Sequence, residues 1–333
     1  MKITFGIFLF FNFFFAQAQP FALSFNGIDW VAQRGDVLTP ETLAQQLTAP
    51  CKTDLEKVRA IFRWITSNIS YAVRPLPGVN KSALRYKPLP MDSALALKSV
   101  DEIVAYTVLQ KRTAVCNGYA RLFKTLCGYA GIRAELVTGY ARAGWGNFAF
   151  RPNHTWNAVY IDSAWRLVDV TWASGYVSFA NEFVQQYDDS YFLPLPERFI
   201  YTHYPEDLRW SLLQNPPALH EFDRAPFKLT AFIKYGIRNY APANGVIEAA
   251  VGDTLRFRFE LAAPLPFQMA PELISDSMLM SRDTTWCFLK PVVANNEVLY
   301  TYAVQSAAVE WIDLVYNDDI VLRYKLHVRR PAL

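Results

Sequence analysis

The sequence predicts an α+β domain followed by an all-β sandwich, and three observations carry that prediction. The first half holds stretches of three- and four-residue apolar periodicity, these lead into a hairpin-like alternation, and short alternating segments dominate beyond Pro226. At 333 residues the chain is longer than one hydrophobic core usually fills, so two domains are the default.

The opening, MKITFGIFLFFNFFFAQAQP, has one positive charge at Lys2, an apolar run from Ile3 to Phe15 broken by Asn12, and small residues at Ala16 and Ala18. This is the pattern of a secretory signal peptide over residues 1–18, cleaved after Ala18. The run is short for a bilayer span, and no cysteine follows the cleavage site to carry a lipid. No later segment is long and apolar enough to cross a membrane. The expected product is exported, periplasmic or secreted, with no integral membrane segment once the signal is removed.

From Pro40 to Ile69 the residues Leu55, Val58, Ile61, Phe62 and Ile65 recur at helical spacing, and Thr53 or Asp54 can cap the second of two helices. A Pro-rich connection, Pro75 to Pro90, precedes a further helical segment from about Asp92 to Lys111. Next comes TAVCNGYA, with Cys116 in the first turn of a helix. Tyr119, Leu122, Phe123, Leu126 and Ala130 form its apolar stripe, Arg121 and Lys124 face away, and Gly128 and Gly131 stop it.

RAELVTGYARA reads as a strand, Gly144 to Asn153 as a loop, and HTWNAVYIDSAWRLVDVTW as two strands joined by a tight turn. With Asp162-Ser163 at the centre of that turn, Ile161 pairs with Ala164. Asp169 then falls opposite Trp156 and diagonal to His154, close enough for imidazole and carboxylate to meet. Residues from Ala173 to Phe222 are rich in aromatics and proline without a clear period, and read as a wrap closing the first domain, residues 19–225. The remaining residues, 226–333, contain TLRFRFELA, TTWCFLK, EVLYTYAV and IVLRYKLHV, separated by turn clusters, as an immunoglobulin-like sandwich would.

Composition limits the function. With 33 Lys and Arg against 30 Asp and Glu, and the basic residues scattered, the chain has no electrostatic case for nucleic acid. Four cysteines, Cys51, Cys116, Cys127 and Cys287, are too irregular for a disulfide framework or a zinc site, although one disulfide among Cys51, Cys127 and Cys287 is compatible with export. No acidic loop of the calcium-binding kind is present, so no metal or other cofactor is expected.

Cys116 has the surroundings of a reactive thiol. A helix N-terminus offers unpaired N–H groups and a positive dipole end, which favour thiolate and can receive a developing oxyanion. A cysteine nucleophile needs a base, and beyond the signal the candidates are His154, His203, His220 and His327. The hairpin selects His154 as general base and then acid, with Asp169 orienting its ring. Asn157 and Trp156 are placed to line or shield the site. His203, in YTHYPEDL, reads as packing against neighbouring tyrosines, and Cys127 as core.

The blocks DLEKVRAIFRWITSNISY, VCNGYARLFKTLCGYAGIRAELVTGYAR, HTWNAVYIDSAWRLVDVTW and YFLPLPERFIYTHYPEDLRWSLL resemble the transglutaminase-like superfamily, in particular its kyphoscoliosis-peptidase-like branch. The resemblance covers roughly residues 40 to 222. It implies a papain-like, transglutaminase-like cysteine-protease core and a Cys-His-Asp triad of Cys116, His154 and Asp169. It also implies thioester chemistry on an amide of a protein or peptide substrate, with water or an amine releasing the acyl group. Some members of the superfamily lose the cysteine and act as scaffolds, so a non-catalytic binding or assembly module is the alternative. Departures from the common pattern are Ala114 where a glycine often stands, Tyr71-Ala72 for a Tyr-Asp pair, and an Asp-Ser hairpin turn.

Overall fold

The computed structural model describes residues 25–32, 39–73, 98–142, 151–178, 180–262, 277–281, 286–289, 291–317 and 319–329. The predicted signal peptide, the Pro-rich connection, the start of the third predicted helix, most of the loop after Arg142 and the side chain of Cys287 lie outside the described residues.

Helix α1 (Asn26–Ala32) was not expected from the sequence; Asp29 holds it to the body of the protein through the Arg59 guanidinium. The periodic segment after it divides into α2 (Pro40–Thr48) and α3 (Asp54–Asn68). Thr53 closes a reciprocal capping box with Glu56 at the start of α3. Strand β1 (Ser70–Tyr71) pairs in parallel with β2 (Thr113–Ala114), and between them α4 (Val100–Lys111) starts at a Ser99–Glu102 capping box. Helix α5 (Cys116–Tyr129) follows directly. Its outward Arg121 and Lys124 pair with Asp101, and Lys124 also with Glu135. At its end Gly131, at φ +78°, completes a Schellman motif, with Ile132 N–H on Cys127 O at 2.8 Å and Gly131 N–H on Gly128 O at 3.1 Å.

Strands β3 (Ala134–Ala141), β4 (His154–Ile161) and β5 (Ala164–Val168) form an antiparallel sheet. The β4–β5 register runs from Ile161 opposite Ala164 to Asn157 opposite Val168, the pairing the two-residue turn dictates, and Asp162 and Ser163 both take positive φ (50° and 62°). The segment read as an aperiodic wrap has structure of its own. It contains a small hairpin, β6 (Gly175–Val177) with β7 (Phe183–Gln185), and a single helical turn, α6 (Pro196–Phe199). A short strand, β8 (His203–Pro205), joins the sheet beside β3 to give the order β5-β4-β3-β8. Gly139 of β3 makes this crossing possible: a Cβ there would lie 2.2 Å from Tyr204 O and 2.6 Å from the Trp156 ring. The core under the helices includes Leu43, Ile61, Phe62, Trp64, Leu122 and Phe123.

After α7 (Leu219–Arg224) come β9 (Phe227–Lys228), α8 (Thr230–Lys234), β10 (Ile237–Ala241), β11 (Val246–Ala250), β12 (Thr254–Leu261), β13 (Ser277–Ser281), β14 (Trp286–Leu289), β15 (Val292–Ala294), β16 (Glu297–Ala303), β17 (Val309–Tyr316) and β18 (Asp319–Arg329). They make two sheets, β10-β12-β16-β15 and β11-β18-β17-β13-β14, with β9 added to β18. Lettered in chain order these are A-B-E-D and A′-G-F-C-C′, with A′ parallel to G, which is immunoglobulin-like connectivity. Phe257 and Phe259 of β12, Tyr300 of β16 and Leu314 and Tyr316 of β17 fill the space between the sheets. Cys51 and Cys127 are free thiols, so they are not joined to each other.

Candidate active site

The N-terminus of α5 is open. Its N-cap residue, Val115, has no side-chain acceptor, and the first N–H groups of any helix lack intrahelical partners. The half-buried Cys116 side chain therefore sits beside donors and the positive end of the helix dipole. Burial alone would push its thiol up. A hydrogen bond and the charge of the His154 ring, together with the Thr155 backbone N–H, outweigh that, and the net displacement is downward.

His154 starts β4 and is almost wholly enclosed. Its Nε2 lies 2.7 Å from Asp169 Oδ2, which leaves Nδ1 as the nitrogen for the thiol. Desolvation opposes its protonation, but the Asp169 charge, the bond to Asp169 and the contact with Cys116 together raise its pKa. The rings of Trp156 and Trp172 lie 6.0 Å and 5.6 Å from the imidazole and screen it from water. Trp156 thus has the shielding place expected for it.

Asp169 is fully buried and lies one residue beyond the end of β5. Its Oδ1 accepts the Thr171 N–H at 2.8 Å and the Trp172 N–H at 3.1 Å. Burial would favour the neutral acid, but the neighbouring imidazoles hold the group firmly ionised. The chemistry open to such a cluster is a thiolate beside a protonated imidazole, steadied by a carboxylate that backbone bonds keep from rotating.

Two residues stand differently from the sequence reading. Asn157 faces away from His154 on the other side of β4. Its amide donates to Ala120 O at 3.0 Å and Glu135 O at 3.2 Å, so it fastens α5 to the sheet rather than lining the site. His203 does more than pack. It stacks on Phe199 at 4.0 Å, and its Nε2 lies 3.0 Å from the same Asp169 Oδ2 that His154 uses. Its position in a three-residue strand, paired with β3 and far in sequence from Asp169, gave no periodic signal; its inclusion in the YTHYPEDL block was the available clue.

His154, Asp169 and His203 offer ligand-type atoms within 4.8 Å of one another, the grouping a cation would need. In this structure those atoms are engaged in the hydrogen bonds described, Nε2 to Oδ2 twice over. Tyr119 and Tyr191 are the other titratable groups whose environments include the Asp169 charge.

A thiol opening a helix, a histidine on the adjoining sheet and an acid after the next strand define the class of papain-like and transglutaminase-like folds. Residues 41–170 match the family model of the transglutaminase-like superfamily. The match and the relatives that follow support a transglutaminase-like domain of the kyphoscoliosis-peptidase-like kind within this chain. It is 32% identical over 218 residues to human kyphoscoliosis peptidase, covering 64% of this chain and 30% of that protein. It is 31% identical over 269 residues to Drosophila melanogaster hillarin, covering 74% and 30%. To the Caenorhabditis elegans Lim and transglutaminase domain protein ltd-1 it is 28% identical over 269 residues, covering 71% and 34%. The chain thus spans about a third of the length of these relatives.

Proposed function

We propose that this protein is an exported cysteine enzyme acting on amide bonds of a protein or peptide through a thioester acyl-enzyme, with Cys116 as nucleophile, His154 as base and acid, and Asp169 as the group that orients His154. The single observation that carries the reading is the buried 2.7 Å bond between His154 Nε2 and Asp169 Oδ2, on a ring whose other edge meets the Cys116 thiol. Export rests on the signal-like opening of the sequence alone.

The Cys116 proton passes to His154 Nδ1 and the sulfur attacks the amide carbon. The oxyanion is met by N–H groups at the start of α5. As the tetrahedral species collapses, the C–N bond breaks and His154 returns the proton to the departing amine. Water or a second amine then attacks the thioester, giving its proton to His154, and the sulfur leaves as thiolate. Hydrolysis makes the protein a peptidase or amidase; capture by an amine makes it an acyltransferase.

Peptide mapping after brief iodoacetamide treatment at neutral pH tests the reading. Cys116 is expected to react on the order of tenfold or more faster than Cys127, and Cys116→Ala to lose the fast label with its fold intact. Equal rates at the two positions sink the proposal.

A further inference from the structure

The carboxylate of Asp169 serves two imidazoles. His154 and His203 approach one oxygen, Oδ2, at 2.7 Å and 3.0 Å, while Oδ1 is held by two backbone N–H groups. All four bonds end on a side chain with no solvent exposure. His203 is itself locked: Phe199 lies parallel to its ring at 4.0 Å and 12°, Trp172 meets it edge-on at 4.5 Å, and Nδ1 is 2.8 Å from Thr202 Oγ1.

The Thr202 hydroxyl is the partner of the second ring nitrogen. With the Thr202 hydrogen directed at Nδ1, His203 is neutral and carries its proton on Nε2, where it can only donate to Asp169. Protonating His203 would require the Thr202 hydrogen to turn to Phe199 O, which is 3.4 Å away and a poor acceptor at that range. Burial, the first influence, outweighs the bond to and the charge of Asp169, which act the other way, and with the nearby His154 it lowers the His203 pKa to about 4. Cys116 and Tyr119 on α5, His154 on β4 and Tyr191 from the turn at 189–191 are the other titratable groups around the carboxylate.

We infer that His203 is a positioning residue of the site: a second, neutral donor that divides the Asp169 charge between two imidazoles and so sets the pH at which the Cys116–His154 pair forms. This rests on the catalytic reading of Cys116, His154 and Asp169. Asp169 opposes ionisation of the thiol, and a second N–H on Oδ2 reduces that opposition. Without it, the carboxylate pulls harder on the His154 proton and repels the thiolate more. The acid limb of thiolate formation then moves to higher pH, and the loss of the imidazolium proton moves upward with it.

The test is the pH dependence of Cys116 alkylation by iodoacetamide in the full chain, read by peptide mapping from pH 4 to 10, with circular dichroism as the check on folding. His203→Phe keeps a ring against Phe199 and removes the donor; it is expected to shift the acid limb upward and slow labelling on that limb about threefold to tenfold, since one pH step is tenfold. His203→Gln, whose amide can donate to Asp169, is expected to return most of the wild-type profile. A folded His203→Phe protein with an unshifted limb overturns the inference. If that variant does not fold, His203→Met, which also removes the donor while filling much of the same space, decides by the same rule. The catalytic reading fails separately, and takes this inference with it, if wild-type Cys116 shows no acid limb below the ordinary thiol range.

Discussion

At its first residue α5 carries a thiol displaced downward, beside an imidazole and an uncapped helix end; on the same helix Cys127 is fully enclosed by apolar neighbours and pushed up by burial alone. The two ends of the helix differ in the same sense. The N-terminus leaves its donors unclaimed by any side chain, whereas the C-terminus satisfies its carbonyls through Gly131 and Ile132. One element therefore holds a thiol displaced downward and another displaced upward, and the difference lies in what surrounds each sulfur rather than in the residue type.

The largest effect that would break this contrast is removal of the imidazole. His154→Ala should lower the rate of acyl transfer at Cys116 by about 10²–10⁴. Alkylation of Cys116 near pH 6 should fall toward that of an ordinary thiol while Cys127 stays unreactive. Rapid labelling that survives the substitution would assign the activation to the helix end alone. Next in size is the buried end: Cys127→Ser places a hydroxyl in an apolar site and should cost about 1–3 kcal/mol in urea unfolding, with Cys116 labelling unchanged in the folded state.

Acidity should expose the same contrast through stability. His203, lowered to about 4 by burial against an ordinary value of 6.5, binds a proton in the unfolded chain before it does so in the folded one. Its contribution is present above pH 6.5 and is lost as the pH falls toward about 4. Cys127 has the opposite sign: with its folded value raised, its contribution is present below the unfolded thiol value and fades as the pH rises beyond it. Thermal unfolding across pH should therefore show His203→Gln flattening the acid side and Cys127→Ala the alkaline side. Unaltered slopes in both variants would mean that other groups dominate.

The sequence made much of this legible because the relevant information is local. Helical spacing marked α3 and α5, the Asp-Ser turn fixed the register of β4 on β5, and that register put Asp169 diagonal to His154. What it concealed is long-range. Asp29 reaches Arg59 from a helix too short to show a period, and β8 reaches β3 through three residues, too few for an alternation to be read. His203 consequently reads as a packing residue, since nothing adjacent to it in sequence indicates that a carboxylate thirty-four positions away turns toward it. Asn157 differs: strand alternation already turns it from His154, and what the packed structure adds is the Ala120 carbonyl it serves.

The smallest expected effects lie at the two helix ends. Val115 has the extended backbone of an N-cap (φ −90°, ψ 173°) and is exposed, so Val115→Ser needs no rearrangement and should stabilise the helix by about 0.5–2 kcal/mol through a new bond to a first-turn N–H. That bond competes with the developing oxyanion, so acyl transfer at Cys116 should fall as the melting temperature rises. Gly131→Ala probes the other end. A Cβ there meets nothing within 4 Å, so its cost is the left-handed backbone alone, about 1–2 kcal/mol, and Cys116 labelling should stay at the wild-type rate. If both variants change stability and reactivity together, the two ends are coupled through the helix, and the division between a chemical terminus and a structural one does not hold.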